Sequence, residues 1–74
     1  MTSRTLIDQI DRPDFRPFII HMNDGSSFRI DQHWVLSANA NSPICVVLKD
    51  DGGMDILSVR NIARIETVEE TNAA

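Results

Sequence analysis

The chain has 74 residues, of which 7 are basic and 11 acidic, so its formal net charge is −4. A chain of this length forms one domain and buries only about 60% of its unfolded surface, so its core must be small. The acidic balance disfavours non-specific nucleic-acid binding, which depends on neutralised phosphates.

Only one cysteine is present, which excludes an intrachain disulfide and fits a reducing compartment. No apolar run approaches the roughly 20 residues that a membrane-spanning helix needs, and no signal-peptide pattern is visible. We therefore expect a cytoplasmic protein without membrane contact. A single domain is predicted over residues 1–70, followed by a disordered tail over 71–74.

The N-terminal segment "TSRTLIDQIDR" predicts a short amphipathic helix. Thr2 or Ser3 is a suitable cap, and Pro13 ends the helix because it forces the preceding residue out of helical geometry. One stripe of apolar side chains recurs at helical spacing: Leu6, Ile7 and Ile10.

From Phe15 onward the apolar pattern changes to the period of two that is typical of strands. In "PFIIHMN" and "SSFRID" the residues on the inward face are expected to be Phe18, Ile20, Met22, Phe28 and Ile30. The intervening "NDG" predicts a hairpin turn, because Asn and Gly readily adopt positive backbone angles.

The second half of the chain continues with further apolar segments that are typical of strands. In "HWVLSANA", Trp34, Leu36 and Ala38 are expected to share a face. The nearly continuous apolar run "ICVVLKD" is typical of a central strand that is covered on both faces. A "DDGG" turn then leads to "MDILSV", with Met54 and Ile56 on one side and Leu57 and Val59 on the other, and "ARIETV" is the last strand.

These elements predict a mainly β fold. An N-terminal helix precedes a five-stranded antiparallel sheet, which is strongly bent or closed into a small barrel of the Sm-like or SH3-like type. The reason for expecting closure is that a flat open sheet would leave exposed edges.

The acidic turns do not predict a metal site. A helix-flanked calcium loop needs a Glu at its twelfth position, and counting from Asp50 that position is Asn61. Two histidines and Cys45 do not form a recognisable zinc spacing. Cys45 and His21, oriented by Asp31, are a conceivable nucleophile and base, but the apolar neighbours of Cys45 favour burial. We expect no metal, no cofactor and no enzymatic activity.

Seven residues in "DFRPFIIHMNDGSSFRI" resemble a group of short bacterial proteins that have no assigned activity. The shared pattern is an F-R-P-F segment, a strand with His and an Asp-Gly turn, carried here by Phe15, Arg16, Pro17, Phe18, His21, Asp24 and Gly25. Members of that group commonly have a His-Pro pair after the second strand. Here "QHWV" stands at that place, so this feature is half present.

The order of elements from about residue 3 to 68 also resembles the Sm-like barrels of the Hfq type. In Hfq-type proteins a Lys-His pair before the last strand helps to bind uridine-rich RNA. The matching positions here are Arg60 and Asn61, so the basic residue is kept and the histidine is lost.

Three functional hypotheses follow. The first is a non-catalytic assembly or protein-interaction module, as a homo-oligomer or with a protein partner, for which Trp34 and His21 are the interface candidates. The second is an RNA-binding homo-oligomer, disfavoured by the acidic charge, whose contact residues would be Arg60, Asn61, Arg64, Arg12 and Arg16. The third, a small enzyme subunit, requires an accessible Cys45 thiol.

Overall fold

A computed structural model of the protein describes residues 2–68. These residues form one α-helix and six strands: α1 (Ser3–Ile10), β1 (Phe18–Met22), β2 (Ser27–Ile30), β3 (Leu36–Ala38), β4 (Ile44–Leu48), β5 (Met54–Ser58) and β6 (Ile62–Thr67). Single 3-10 turns at His33–Val35 and Val59–Asn61 precede β3 and β6. The tail predicted for residues 71–74 lies outside the described part of the chain.

The strands lie in two antiparallel sheets, with the orders β2-β1-β6 and β3-β4-β5. The predicted helix and the mainly β class are confirmed. The prediction of one five-stranded, strongly bent sheet or small barrel is wrong: residues 2–68 form two separate three-stranded sheets with no closed barrel.

The 3-10 turn at His33–Val35 is the physical reason for this difference. The sequence predicted a strand through this segment, but the Val35 amide donates to the Gln32 carbonyl (3.0 Å), which is a local bond rather than a ladder bond. The turn separates β2 from β3 and takes Trp34 off the face of Leu36. Leu36 is consequently buried while 62% of Trp34 is exposed.

In the first sheet the predicted inward face is confirmed. Phe18 lies opposite Ile30 and Ile20 lies opposite Phe28 in the β1–β2 ladder. Phe18, Ile20 and Ile30 are fully buried, and Met22 and Phe28 pack against them while partly exposed. The alternation of apolar and polar residues thus fixes the register of this hairpin, because a slip of one residue would turn the apolar set to solvent.

In the second sheet the prediction that β4 is covered on both faces is wrong. Cys45 and Val47 point into the core, whereas Ile44 and Leu48 are 44% and 48% exposed. The strand is central in its sheet, as expected, since β3 and β5 flank it. For β5 the predicted faces are confirmed, with Leu57 buried.

Helix α1 completes the core through one fully buried side chain, Leu6. The Ser3 hydroxyl donates to the Ser42 carbonyl (2.7 Å) and so ties the helix to the loop before β4. Ten buried apolar residues form the core: Leu6, Phe18, Ile20, Ile30, Leu36, Cys45, Val47, Leu57, Val59 and Ile62.

The first hairpin turn has the predicted left-handed glycine. Gly25 has a φ of +94°, and its amide donates to the Met22 carbonyl (3.1 Å). The Asp24 carboxylate accepts from the amide (2.9 Å) and the hydroxyl (2.6 Å) of Ser26. Asp24 is therefore a turn residue that satisfies a backbone donor.

The second hairpin turn repeats this arrangement. Gly52 has a φ of +93°, and its amide donates to the Lys49 carbonyl (3.1 Å). Asp51 accepts from the Gly53 amide (2.9 Å). Both Asp-Gly turns thus join their strands through the same three-residue loop, with the glycine in the left-handed region.

We expect Gly25→Val to lower the free energy of unfolding by about 1 kcal/mol or more, because a β-branched residue is strained at positive φ. An added Cβ meets no atom within 4 Å, so the loss comes from the backbone and not from a clash. Gly25→Asn is the matched control, since Asn tolerates this conformation better. Urea unfolding measures the difference, and equal stability of Gly25→Val and wild type would contradict the turn's role.

Candidate interaction surface

The outer side of β4 and β5 carries a continuous apolar surface. Successive residues of a strand point to opposite faces, so the even-numbered residues of both strands share the solvent side. The ladder places Val46 opposite Ile56, and Leu48 opposite Met54. We call this surface the outer apolar face; it consists of Ile44, Val46, Leu48, Met54 and Ile56. Met54 and Ile56 are 58% and 62% exposed.

Strand β5 is also an open edge of its sheet. At one end of the β4–β5 ladder the Lys49 amide donates to the Gly53 carbonyl, and at the other end the Val59 amide donates to the Pro43 carbonyl, both at 2.9 Å. Hydrogen-bonded pairs alternate along an antiparallel ladder. The backbone groups of Asp55 and Leu57 therefore point to β4, and a second set points away from the sheet: Met54, Ile56 and Ser58.

The other three strands at sheet edges are charged or short, which distinguishes them from β5. Arg29 on β2 pairs with Asp31, and β6 carries Arg64 beside Glu66, while β3 has only three residues. Charged side chains and short strands are the usual protection of an edge against pairing with another chain. On β5 the one charged residue is Asp55, on the face opposite to the outer apolar face.

Trp34, the first interface candidate, lies at the border of this surface. Its ring packs edge-on against His33 (centroids 5.2 Å apart), and His33 packs against Phe15 (6.2 Å). Trp34 and Leu48 together line an open groove of about 490 Å³. Trp34 is thus an exposed aromatic side chain beside the outer apolar face.

His21, the second interface candidate, lies in the other sheet and makes a contact between strands. Its Nε2 donates to Oε1 of Glu66 (2.8 Å), and Arg64 Nη1 lies 3.7 Å from the same oxygen. The hydrogen bond from His21, together with the charge of Arg64, outweighs desolvation and holds the pKa of Glu66 below its ordinary value. The structure does not bring His21 to the outer apolar face.

Three of the five residues proposed for RNA binding make contacts with other residues of the chain. Arg12 lies 3.4 Å from Asp14, and Arg64 pairs with Glu66. The carbonyl of Asn61 accepts from the Asn23 amide (2.8 Å). Arg16 and Arg60 are exposed.

Cys45 lies in the core with 1% of its surface exposed, and burial raises the pKa of its thiol. Within residues 2–68, no three His, Cys, Asp or Glu side chains are grouped so as to hold a metal ion. None of the helices in the described range has the length and apolar content to cross a membrane.

Sequence reasoning missed half of the outer apolar face, because it treated β4 as covered on both sides. The signal that would have found it is the "DDGG" turn. A three-residue loop at this turn sets Leu48 opposite Met54 and Val46 opposite Ile56. Since the sequence pattern places Met54 and Ile56 on the side opposite the core residue Leu57, their ladder partners belong to the same open side.

Comparison of the chain with protein-family profiles, with characterised proteins and with solved structures finds no match. The resemblance to the F-R-P-F group therefore stays a prediction.

The bond between His21 and Glu66 predicts an acid-dependent loss of stability. Because folding lowers the pKa of Glu66, the unfolded chain binds more protons in acid, and the stabilisation is present above the ordinary carboxyl pKa. It is lost as the pH falls through the folded pKa. We expect Glu66→Gln to flatten the fall in unfolding free energy between about pH 5 and pH 3, measured with urea at each pH.

Asp8→Asn is the control for this measurement. Asp8 is an exposed residue of α1, and its side-chain carboxylate makes no hydrogen bond or ion pair within residues 2–68. Replacing Asp8 is expected to leave the Glu66-dependent fall in unfolding free energy unchanged. If Glu66→Gln lost stability in acid as steeply as the wild type, the assigned role of this bond would be wrong.

Proposed function

We propose that the protein is a non-catalytic assembly or protein-interaction module, whose contact surface is the outer apolar face together with the open edge of β5. The observation that carries the proposal is the coincidence of these two features on one strand. Met54 and Ile56 are exposed apolar residues, and their backbone groups point away from the sheet. Exposed apolar patches and unprotected strand edges are typical of surfaces that bind another protein chain.

The small core adds support. Ten buried apolar residues form the core of residues 2–68, and domains of this size gain stability by association more than larger domains do. The partner that this argument favours is a second copy of the chain, because a homo-oligomer adds buried surface to every subunit. As part of the same proposal we place the module in a reducing compartment, the cytoplasm, on the ground of its single cysteine.

The non-catalytic part of the proposal is supported by the environment of Cys45. A nucleophilic thiol acts as the thiolate and needs access to substrate. Here burial disfavours the thiolate and the neighbouring side chains exclude solvent.

RNA binding has weaker support. Two of its four arginines, Arg12 and Arg64, lie beside carboxylates that reduce the positive field available to phosphates. The net charge of −4 acts in the same direction.

We expect Cys45 to react with iodoacetamide at least about tenfold more slowly in the folded chain than in urea, since both burial and the raised pKa lower the reactive thiolate fraction. Mass spectrometry follows the alkylation. The same chain unfolded in urea is its own control. Equal rates in the two states would contradict the non-catalytic proposal and favour the enzyme hypothesis.

We expect the wild-type chain to have a solution mass of two or more chains by size exclusion with light scattering. Ile56→Lys is expected to be a monomer, because an ammonium at the centre of the edge opposes strand pairing. Ala63→Lys adds the same charge to an exposed position of β6 and should keep the wild-type mass. Equal melting temperatures show that both variants fold. A wild-type monomer at every concentration would contradict the proposal.

A further inference from the structure

The edge of β5 is complementary to itself. We propose that two copies of the chain join by antiparallel pairing of their β5 strands about a two-fold axis at Ile56, which joins two three-stranded sheets into one continuous sheet. This inference rests on the proposed function and specifies how its contact surface is used. A two-fold contact of this kind is closed, because each copy offers the same patch to the other.

The directions of the backbone groups favour this register. Met54, Ile56 and Ser58 point their amides and carbonyls to the open side, as the β4–β5 ladder requires. With Ile56 opposite the second copy's Ile56, Met54 falls opposite the second copy's Ser58. All five residues of β5 then overlap, and every outward-directed backbone group meets another.

Shifted registers of the β5–β5 pairing have a shorter overlap or a less favourable charge contact. A slide by two residues in either direction keeps the backbone groups facing each other, but it reduces the overlap from five residues to three. One of these slides also places Asp55 directly opposite the second copy's Asp55, and like charges directly opposite are destabilising. In the register centred on Ile56, Asp55 faces the second copy's Leu57 instead.

Charges beyond the strand ends support the same arrangement. Past Ser58 the chain continues into the 3-10 turn that carries Arg60, and before Met54 it comes from the acidic turn with Asp50 and Asp51. Antiparallel pairing brings the Arg60 end of one copy to the acidic turn of the other. Arg60 is exposed and makes no ion pair within residues 2–68. The contact of opposite charges occurs twice, once at each end of the paired strands.

The side chains on the outer apolar face take part as well. Ile56 packs against the second copy's Ile56 at the centre, so the most exposed aliphatic side chains of the two subunits cover each other. Met54 lies beside the second copy's Ser58, which leaves room for its flexible thioether. Ile44 and Leu48 flank the seam on β4.

Disulfide trapping tests this register directly. Paired residues at the centre of such a ladder have Cα atoms about 5.5 Å apart, which lies within the range that a disulfide spans. Ile56→Cys is therefore expected to shift from a one-chain to a two-chain band on a non-reducing gel after mild oxidation of the native protein. The wild type, whose only thiol is the buried Cys45, should stay at the one-chain position.

Met54→Cys is the matched control, because Met54 is exposed to nearly the same extent as Ile56. In the proposed register it lies four residues from its own copy, about 13 Å along the strand, and cannot be bridged. The double variant Met54→Cys/Ser58→Cys places a thiol opposite a thiol and should form the two-chain band.

The outcomes separate this inference from the proposed function. A wild-type chain that is an oligomer in solution, while Ile56→Cys fails to cross-link or cross-links no better than Met54→Cys, overturns the β5 register and leaves assembly standing. A wild-type monomer at every concentration overturns both. Selective trapping by Ile56→Cys and by the double variant, with a wild-type mass of two chains or a multiple of two, supports the two-fold pairing.

Discussion

The antiparallel ladder between β4 and β5 is the constraint on which the surface of this molecule depends. The turn at Asp50–Gly53 sets its register, and a period of two then divides the strand residues between the core and the solvent. Cys45, Val47 and Leu57 are buried for the same reason that Ile44, Leu48 and Ile56 are exposed. The outer apolar face is therefore a direct result of the register that places Cys45, Val47 and Leu57 in the core.

The two sheets use their outer sides differently. On the first sheet the outer side carries ionisable side chains that contact each other across strands, as His21, Arg64 and Glu66 do. On the second sheet the outer side carries the exposed apolar side chains of Ile44, Leu48, Met54 and Ile56. Since both sheets share one core, this asymmetry is not needed for folding. It gives the molecule one side suited to water and one side suited to another apolar surface.

Local patterns in the sequence predicted α1, both Asp-Gly hairpins and the inward faces of β1, β2 and β5, because each depends on a few neighbouring residues with strong preferences. The two errors arose where local patterns are ambiguous. "HWVLSA" reads as a strand, but a 3-10 turn at His33–Val35 satisfies backbone groups locally and exposes Trp34. "ICVVL" is apolar on both faces, and only the absence of a covering layer over the described part of β4 decides that one face is open. The outer apolar face depends on this feature of the tertiary structure, and for this reason only the part on β5 was predictable from the sequence.

The pairing of β1 with β6 has a consequence for the order in which the fold forms. The two Asp-Gly hairpins close over a few residues, whereas Phe18 meets Thr67 only when 49 positions of chain are brought together. Loop-closure entropy makes such distant contacts slow to form. We expect the β4–β5 hairpin to exist before the first sheet is complete, with its apolar residues open on both sides. During that interval the nascent chain is more prone to aggregate than the finished fold, because apolar side chains and unpaired strand edges are exposed together.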